Sequence, residues 1–225
     1  MIKVFQIFYD EESRASLDPF FIPIDNTSPS KVLEYEYGVM RRLYFSEAFN
    51  EGNRFGIFSW KFRQKTGWSS GDLLEAISNQ PDKDVFMINP YPSSQRFRNV
   101  WDQGEHYHPG MIEVVKHLFD ACSLDPALLC QRHDSEVECY CNYWIASRRF
   151  WDLYISFSER VYKVIYDQRF EFQSSLFDGM RDRLIHAPLF PFVFERLFST
   201  VLSAYRDSFR ICALSADNAF IQHHR

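Results

Sequence analysis

Glycine is scarce in this chain, with eight in 225 residues, and none of the eight builds a GxGxxG or GxxxxGK[ST] fingerprint. A classical dinucleotide fold and a P-loop are therefore set aside, because both need glycine where the backbone closes on phosphate. Basic residues are in the minority too. Twenty-five Lys and Arg stand against thirty Asp and Glu, a net charge of −5, with the two signs interspersed. That balance excludes a nucleic-acid binder, which would need a basic stripe to neutralise phosphates. No apolar run approaches the roughly 20 residues of a membrane span. The opening Met1-Ile-Lys-Val-Phe5 reads as a strand, with no basic region leading into an apolar run and a small-residue cleavage site. The expectation is a cytoplasmic protein with no transmembrane segment. Peripheral membrane association through its aromatics stays open, although no basic amphipathic helix supports it.

Paired cysteines are also missing. Cys122, Cys130, Cys139, Cys141 and Cys212 are odd in number and include no CxxC, so reduced thiols are expected. Cys139 and Cys141 would share one face of a strand, as small buried thiols rather than metal ligands. Aromatics, by contrast, are abundant at 18%, with 23 Phe. Most must pack a core, and Trp or Tyr beside polar clusters could form a platform for a sugar or a base. No Gly/Ser/Pro-rich linker divides the chain, so a single domain over 1–225 is expected.

Periodicity predicts strands at Lys3–Phe8, Phe55–Trp60, Asp84–Asn89 and Val137–Ala146. Helices are predicted from about Ser30 to Asn50, stopped by Glu51-Gly52, then from Ser69 or Ser70 to Ser78. Further helices are predicted over Met111–Ala121, Arg148–Tyr166 and Phe192–Ser203. Such alternation gives an α/β fold, a mostly parallel sheet flanked by helices. In open sheets of this kind ligands lie beyond the carboxyl ends of the strands. Those ends are Tyr9 and Asp10, Trp60 and Lys61, and Asn89 to Tyr91.

The densest chemistry lies in Asn99-Val-Trp-Asp-Gln-Gly-Glu-His-Tyr-His-Pro-Gly110, read as a loop. Gln103, Glu105, His106 and His108 fall there, and Glu105 or a histidine could act as a general base. His106 and His108 with Glu113 could instead hold a metal, the basis of a metal-dependent hydrolase reading. Asp82-Lys-Asp84 resembles the DxD that holds Mn²⁺ or Mg²⁺ with a sugar nucleotide, but it precedes its strand, where a solvated turn is the alternative. Lys61 and Arg63 could neutralise a leaving diphosphate, with Arg148 and Arg149 in reserve. Asn142 shares a strand face with Trp144, and Glu195-Arg196 is a charged pair on an otherwise apolar helix, which an internal ion pair would explain as well as a ligand contact.

Phe55-Gly-Ile-Phe-Ser-Trp-Lys-Phe-Arg63, the Asn89-Pro-Tyr91 strand end, the Trp101–Gly110 segment, Asn142-Tyr-Trp-Ile-Ala-Ser147, Phe150-Trp151 and Pro191-Phe-Val-Phe-Glu-Arg-Leu197 occur in this order. Their layout resembles small bacterial GT-A-like glycosyltransferase domains of surface-polysaccharide clusters, of the DUF4422 type. The resemblance spans most of the chain, through short motifs. It implies a GT-A-like, Rossmann-like domain with a nucleotide-binding half over about 1–110 and an acceptor-binding, helical half over about 111–225. It implies a nucleotide-sugar donor and a saccharide acceptor. Tyr9 and Asp10 would then line the nucleotide side, Trp60, Lys61 and Arg63 the donor pocket, and Glu105, His106 and His108 the reacting centre. The missing DxD after a strand departs from the pattern and leaves a metal-free route or a non-catalytic sugar-binding module as alternatives.

Overall fold

The computed structural model describes residues 1–50, 52–167, 169–178 and 188–215. Glu51, expected to help stop a helix, lies outside the described residues. The first half of the chain forms β1 (Ile2–Phe8), α1 (Glu11–Ala15), β2 (Ile22–Asp25), α2 (Tyr35–Tyr44), β3 (Arg54–Ser59), α3 (Phe62–Thr66), α4 (Ser70–Ser78) and β4 (Val85–Asn89). There follow α5 (Val100–Tyr107), α6 (Met111–Ala121), β5 (Trp144–Ser147), α7 (Arg148–Ile165), α8 (Gln173–Phe177), α9 (Leu189–Ala204) and β6 (Ile211–Ser215).

The described strands make one sheet in the order β2-β1-β3-β5-β4-β6. Five run the same way and β5 runs against them, pairing antiparallel with both β3 and β4. The expected mostly parallel α/β sheet is therefore present. Alternate residues of each inner strand point to opposite faces. Phe5, Ile7, Phe55, Ile57 and Met87 enter the larger core, while Val4, Phe58, Phe86, Ile88 and Ile145 meet Phe62, Trp68, Leu73 and Ile77 on the other side. Burial on both faces is why these strands read as continuous apolar runs.

Helix α7 shows one apolar stripe, with Phe150, Trp151, Tyr154, Phe157 and Val161 buried. Helix α9 is buried nearly all round, from Leu189 and Phe190 through Phe198 to Leu202, so it runs through the larger core. No helix among the described residues is long and apolar enough to cross a membrane.

Four expectations change. The helix expected over 30–50 is α-helical only at Tyr35–Tyr44, with tighter turns at Val32–Glu34 and Glu47–Phe49. The strand expected from Val137 begins at Trp144, because Cys141 and Asn142 hold φ of 62° and 57°, which an extended strand cannot accommodate. The short elements α1, β2 and β6 have no counterpart in the periodic reading. The Asn99–Gly110 segment is helix rather than loop: Asn99 Oδ1 accepts from Trp101 N and Asp102 N at 2.9 Å, capping α5.

Asn99 is almost fully buried, and its amide also donates to Leu129 O at 2.9 Å and Gln131 O at 2.8 Å. Asn99→Ala removes a cap worth about 0.5–2 kcal/mol. It also strands buried carbonyls at roughly 1–3 kcal/mol. The expected destabilisation is therefore about 2–4 kcal/mol, read as a lower urea midpoint with the slope unchanged. A midpoint equal to that of the wild type would remove Asn99 from this role.

Candidate functional site

A cavity of about 740 Å³ opens at the carboxyl edge of the sheet, a volume in the range of small-molecule sites. Tyr9 follows β1, Ser59 ends β3, and Trp60 with Lys61 continues from it. Lys65 rises from α3, and Cys141 with Asn142 precedes β5, which starts at this edge because it runs against its neighbours. Tyr35 and Glu36 open α2, and Pro191, Phe192 and Glu195 close the wall from α9.

Backbone strain gathers here. Four described non-glycine residues have positive φ, and three of them, Tyr35 at 46°, Cys141 at 62° and Asn142 at 57°, line this cavity. Such conformations cost of order 1–3 kcal/mol each and persist where surrounding contacts impose them. For Cys141 those contacts are visible: Glu195 Oε2 accepts its N–H at 3.0 Å, and Lys65 Nζ donates to its Sγ at 3.1 Å.

The titratable groups interact across the cavity. Desolvation raises the Glu36 carboxyl above its ordinary value; its own backbone N–H works the other way, the Glu195 charge adds to the rise and Lys65 pulls it back. Burial, with the Glu195 charge, pushes the Cys141 thiol up to about 11, although Lys65 opposes the shift. Burial also raises the Tyr9 phenol, and Glu36 reinforces this. The result is a carboxyl that holds its proton more firmly than an exposed one, with the Lys65 ammonium group acting on it. Lys61 sits 4.9 Å from the centroid of the Trp60 ring, so one cation and one aromatic plane face the opening together.

Of the residues singled out in the sequence, Tyr9, Trp60, Lys61, Asn142 and Glu195 line the cavity. Tyr91 is at its lip, with its hydroxyl 3.9 Å from Cys141 Sγ and its ring 5.9 Å from Lys65 Nζ. Asn89 accepts from Tyr91 N at 2.8 Å and lines a neighbouring cavity of about 250 Å³. Asp10 is an exposed helix cap, accepting from Ser13 N at 2.8 Å and from Ser13 Oγ at 2.6 Å, and these bonds lower its pKa. Arg63 is exposed on α3 and its charge acts on Asp18.

The α5 groups have other partners. Glu105 accepts from Gly110 N at 2.7 Å and from Ile112 N at 2.8 Å, using both carboxylate oxygens to cap α6. His106 is exposed and packs against Phe97 and Tyr107. His108 is buried and stacks on Phe192 at 3.9 Å, behind the cavity wall. Gln103 is buried and accepts from the Arg196 guanidinium. Glu113 is exposed on α6, and among the described residues no three His, Cys, Asp or Glu side chains, His106, His108 and Glu113 included, form a group that could hold a metal ion. The metal-hydrolase expectation therefore loses its ligand set. Asp82 and Asp84 lie at the opposite edge of the sheet, before β4, where Arg210 and Arg149 face them at 3.9 and 4.0 Å. Paired with arginines and placed before the amino end of β4 rather than beyond its carboxyl end, they do not fit the DxD role.

The sequence reading missed Glu36 and Lys65. Glu36 lies between two tyrosines inside the helix that periodicity predicts from about Ser30 to Asn50, and Lys65 follows Lys61 by one helical turn. That i, i+4 spacing from Lys61 was the available signal for the second cation.

No family model matches the chain, and no curated protein matches it. Among solved structures it is similar to the apo structure of WbbM, a bifunctional glycosyltransferase, with a TM-score of 0.51 at 9% sequence identity. The match covers 95% of this chain and 44% of that one. At such low identity the likeness shows the fold alone, an α/β arrangement with a mostly parallel sheet matched over 95% of this chain.

Proposed function

We propose that this chain is a glycosyltransferase domain, moving a sugar from a nucleoside-diphosphate donor to a saccharide acceptor in the cytoplasm, in surface-polysaccharide or glycan assembly. The observation that carries the reading is the juxtaposition of Glu36, with its raised pKa, and the Lys61 and Lys65 cations in one aromatic-lined cavity at the strand ends. The fold likeness and the motif order resembling DUF4422-type domains support it.

In this reading Trp60 and Tyr9 offer apolar faces to a sugar or base ring. Glu36 accepts the proton of an acceptor hydroxyl as its oxygen attacks the anomeric carbon. The bond from that carbon to the diphosphate breaks, and the electron pair leaves on the phosphate oxygen. Lys65 and Lys61 offset the charge that develops there. In this reading His108 supports the cavity wall by stacking on Phe192, while Glu105 caps α6 and the exposed His106 packs on Phe97 and Tyr107, so that none of the three is the reacting group.

The test is a thermal-shift screen of UDP, GDP and their sugars, each with and without Mn²⁺ or Mg²⁺. A ligand at a hundred times its Kd stabilises the folded state by about 2.7 kcal/mol, so a rise of several degrees is expected with one nucleotide class. The metal arms read any cation requirement directly. No shift with any nucleotide at millimolar concentration would sink the proposal.

A further inference from the structure

Arg196 is a guanidinium with almost no exposed surface, on the buried helix α9. Its Nε donates to Val100 O and its Nη1 to Phe192 O, both at 2.9 Å, and its Nη2 donates to Gln103 Oε1. The same Nη1 lies 3.6 Å from Glu195 Oε1. A buried cation of this kind persists only when its donors and its charge are both satisfied. Here α5 and α9 supply the carbonyl acceptors and Glu195 supplies the charge.

The approach of α5 is itself adapted to this side chain. A Cβ added at Gly104 would lie 2.6 Å from Arg196 Nε and 2.6 Å from Met111 Sδ. Glycine at 104 is therefore what lets α5 close on the guanidinium.

Glu195 faces the cavity with its other oxygen engaged. Its Oε2 accepts from Cys141 N at 3.0 Å, the first residue of the left-handed pair Cys141–Asn142. A chain of direct contacts thus runs from α5 through Arg196 and Glu195 to the turn, and from Cys141 Sγ on to Lys65 Nζ at 3.1 Å.

We infer that Arg196 is a positioning residue for the cavity: from behind its wall it fixes Glu195, and through Glu195 it holds the strained Cys141–Asn142 turn against which Lys65 is set. This deepens the glycosyltransferase reading and rests on it for the consequence in turnover, but the structural claim can be tested without any substrate. It also gives the Asn99–Gly110 segment a role, because α5 supplies two of the acceptors that hold the Arg196 guanidinium, Val100 O and Gln103 Oε1.

The test is amide hydrogen exchange, read on the peptide spanning 139–143 and on the strand peptides spanning 55–59 and 85–88, in the wild type, Arg196→Met, Arg196→Lys and Glu195→Ala. Exchange at 139–143 is expected to be at least about tenfold faster in Arg196→Met and Glu195→Ala, while the strands stay protected, as for a local opening. Combining the two substitutions should add little to either alone, because both cut the same chain of contacts. Arg196→Lys, which keeps the charge, should restore part of the protection.

If Arg196→Met does not fold, Gly104→Ala displaces the guanidinium without deleting it, and Glu195→Ala changes a partly exposed side chain. Each should loosen the same peptide. Unchanged protection at 139–143 in folded variants would overturn the inference, as would equal loosening of the strands, which marks a general structural role. With the donor selected by the nucleotide screen, Arg196→Met should lower turnover about 10²-fold, the scale of a misplaced reacting group, with KM changed less. A wild-type protein that binds no nucleotide would defeat the glycosyltransferase reading and leave the exchange result standing.

Discussion

Glu36→Gln is expected to lower turnover by about 10²–10⁴-fold, the usual contribution of a positioned general base, while binding of the donor nucleotide is retained. The substitution keeps the shape and removes only the ability to take a proton. Glu36 is suited to that task because desolvation and the Glu195 charge raise its pKa, so that it binds a proton more avidly than an exposed carboxylate would. The wild-type rate should climb with pH through this raised pKa, placing the acid limb above the ordinary value of 4.5. In Glu36→Gln that limb should be absent from the residual rate.

The same shift has a stability consequence of opposite sign. A carboxyl whose pKa is higher folded than unfolded favours the folded state only while it is protonated, and that contribution is lost as pH rises through the folded pKa. At pH 7 wild-type Glu36 is therefore a liability to the fold, and Glu36→Gln should melt at a higher temperature than the wild type. Below the unfolded carboxylate range, near pH 3.5, the gap should close, because both side chains are then neutral. Slower turnover with a higher melting temperature at pH 7 is the signature of a group kept for chemistry. A variant that keeps full activity, or one that melts lower at pH 7, would remove Glu36 from the role of base.

The fold was more legible in the sequence than the site. Strands β1, β3 and β4 carry apolar runs long enough to declare themselves, and α4 announces its start with Ser69, whose hydroxyl accepts from Asp72 N. The carboxyl ends of those strands could therefore be located, and the cavity lies there. The left-handed turn at Cys141–Asn142 could not be read, because neither residue is glycine and the contacts that impose it come from Glu195 and Lys65, 54 and 76 positions away. The Glu105–His108 cluster misled for a related reason. Its residue types are those of catalysis, but Asn99 turns the segment into a helix whose carboxylate is used up in capping α6. Chemistry-bearing side chains mark a site only when their hydrogen-bonding capacity is left available, and that depends on contacts a linear pattern does not carry.

Lys65→Met should produce the second large loss, about 10²–10³-fold in turnover, the usual cost of deleting one electrostatic contact to a developing charge in an enclosed site. Lys61 is exposed and lies against Trp60, so its charge is more fully screened by solvent. Lys61→Met should therefore cost less than Lys65→Met, mostly in KM. The Lys65 loss should also depend on pH, because its positive charge opposes the rise in the Glu36 pKa. Without that charge Glu36 holds its proton to higher pH, and the acid limb of the rate profile should move upward. The penalty for Lys65→Met is then greatest at low pH and shrinks as pH rises past the displaced limb, leaving only the loss at the diphosphate. Lys65→Arg keeps the charge and should leave the limb near its wild-type position, while the broader guanidinium fits the Cys141 and Tyr91 contacts less well and restores only part of the rate. A Lys65→Met penalty that is the same at every pH would show that the two groups act separately, and no penalty at all would take the leaving group away from this part of the cavity.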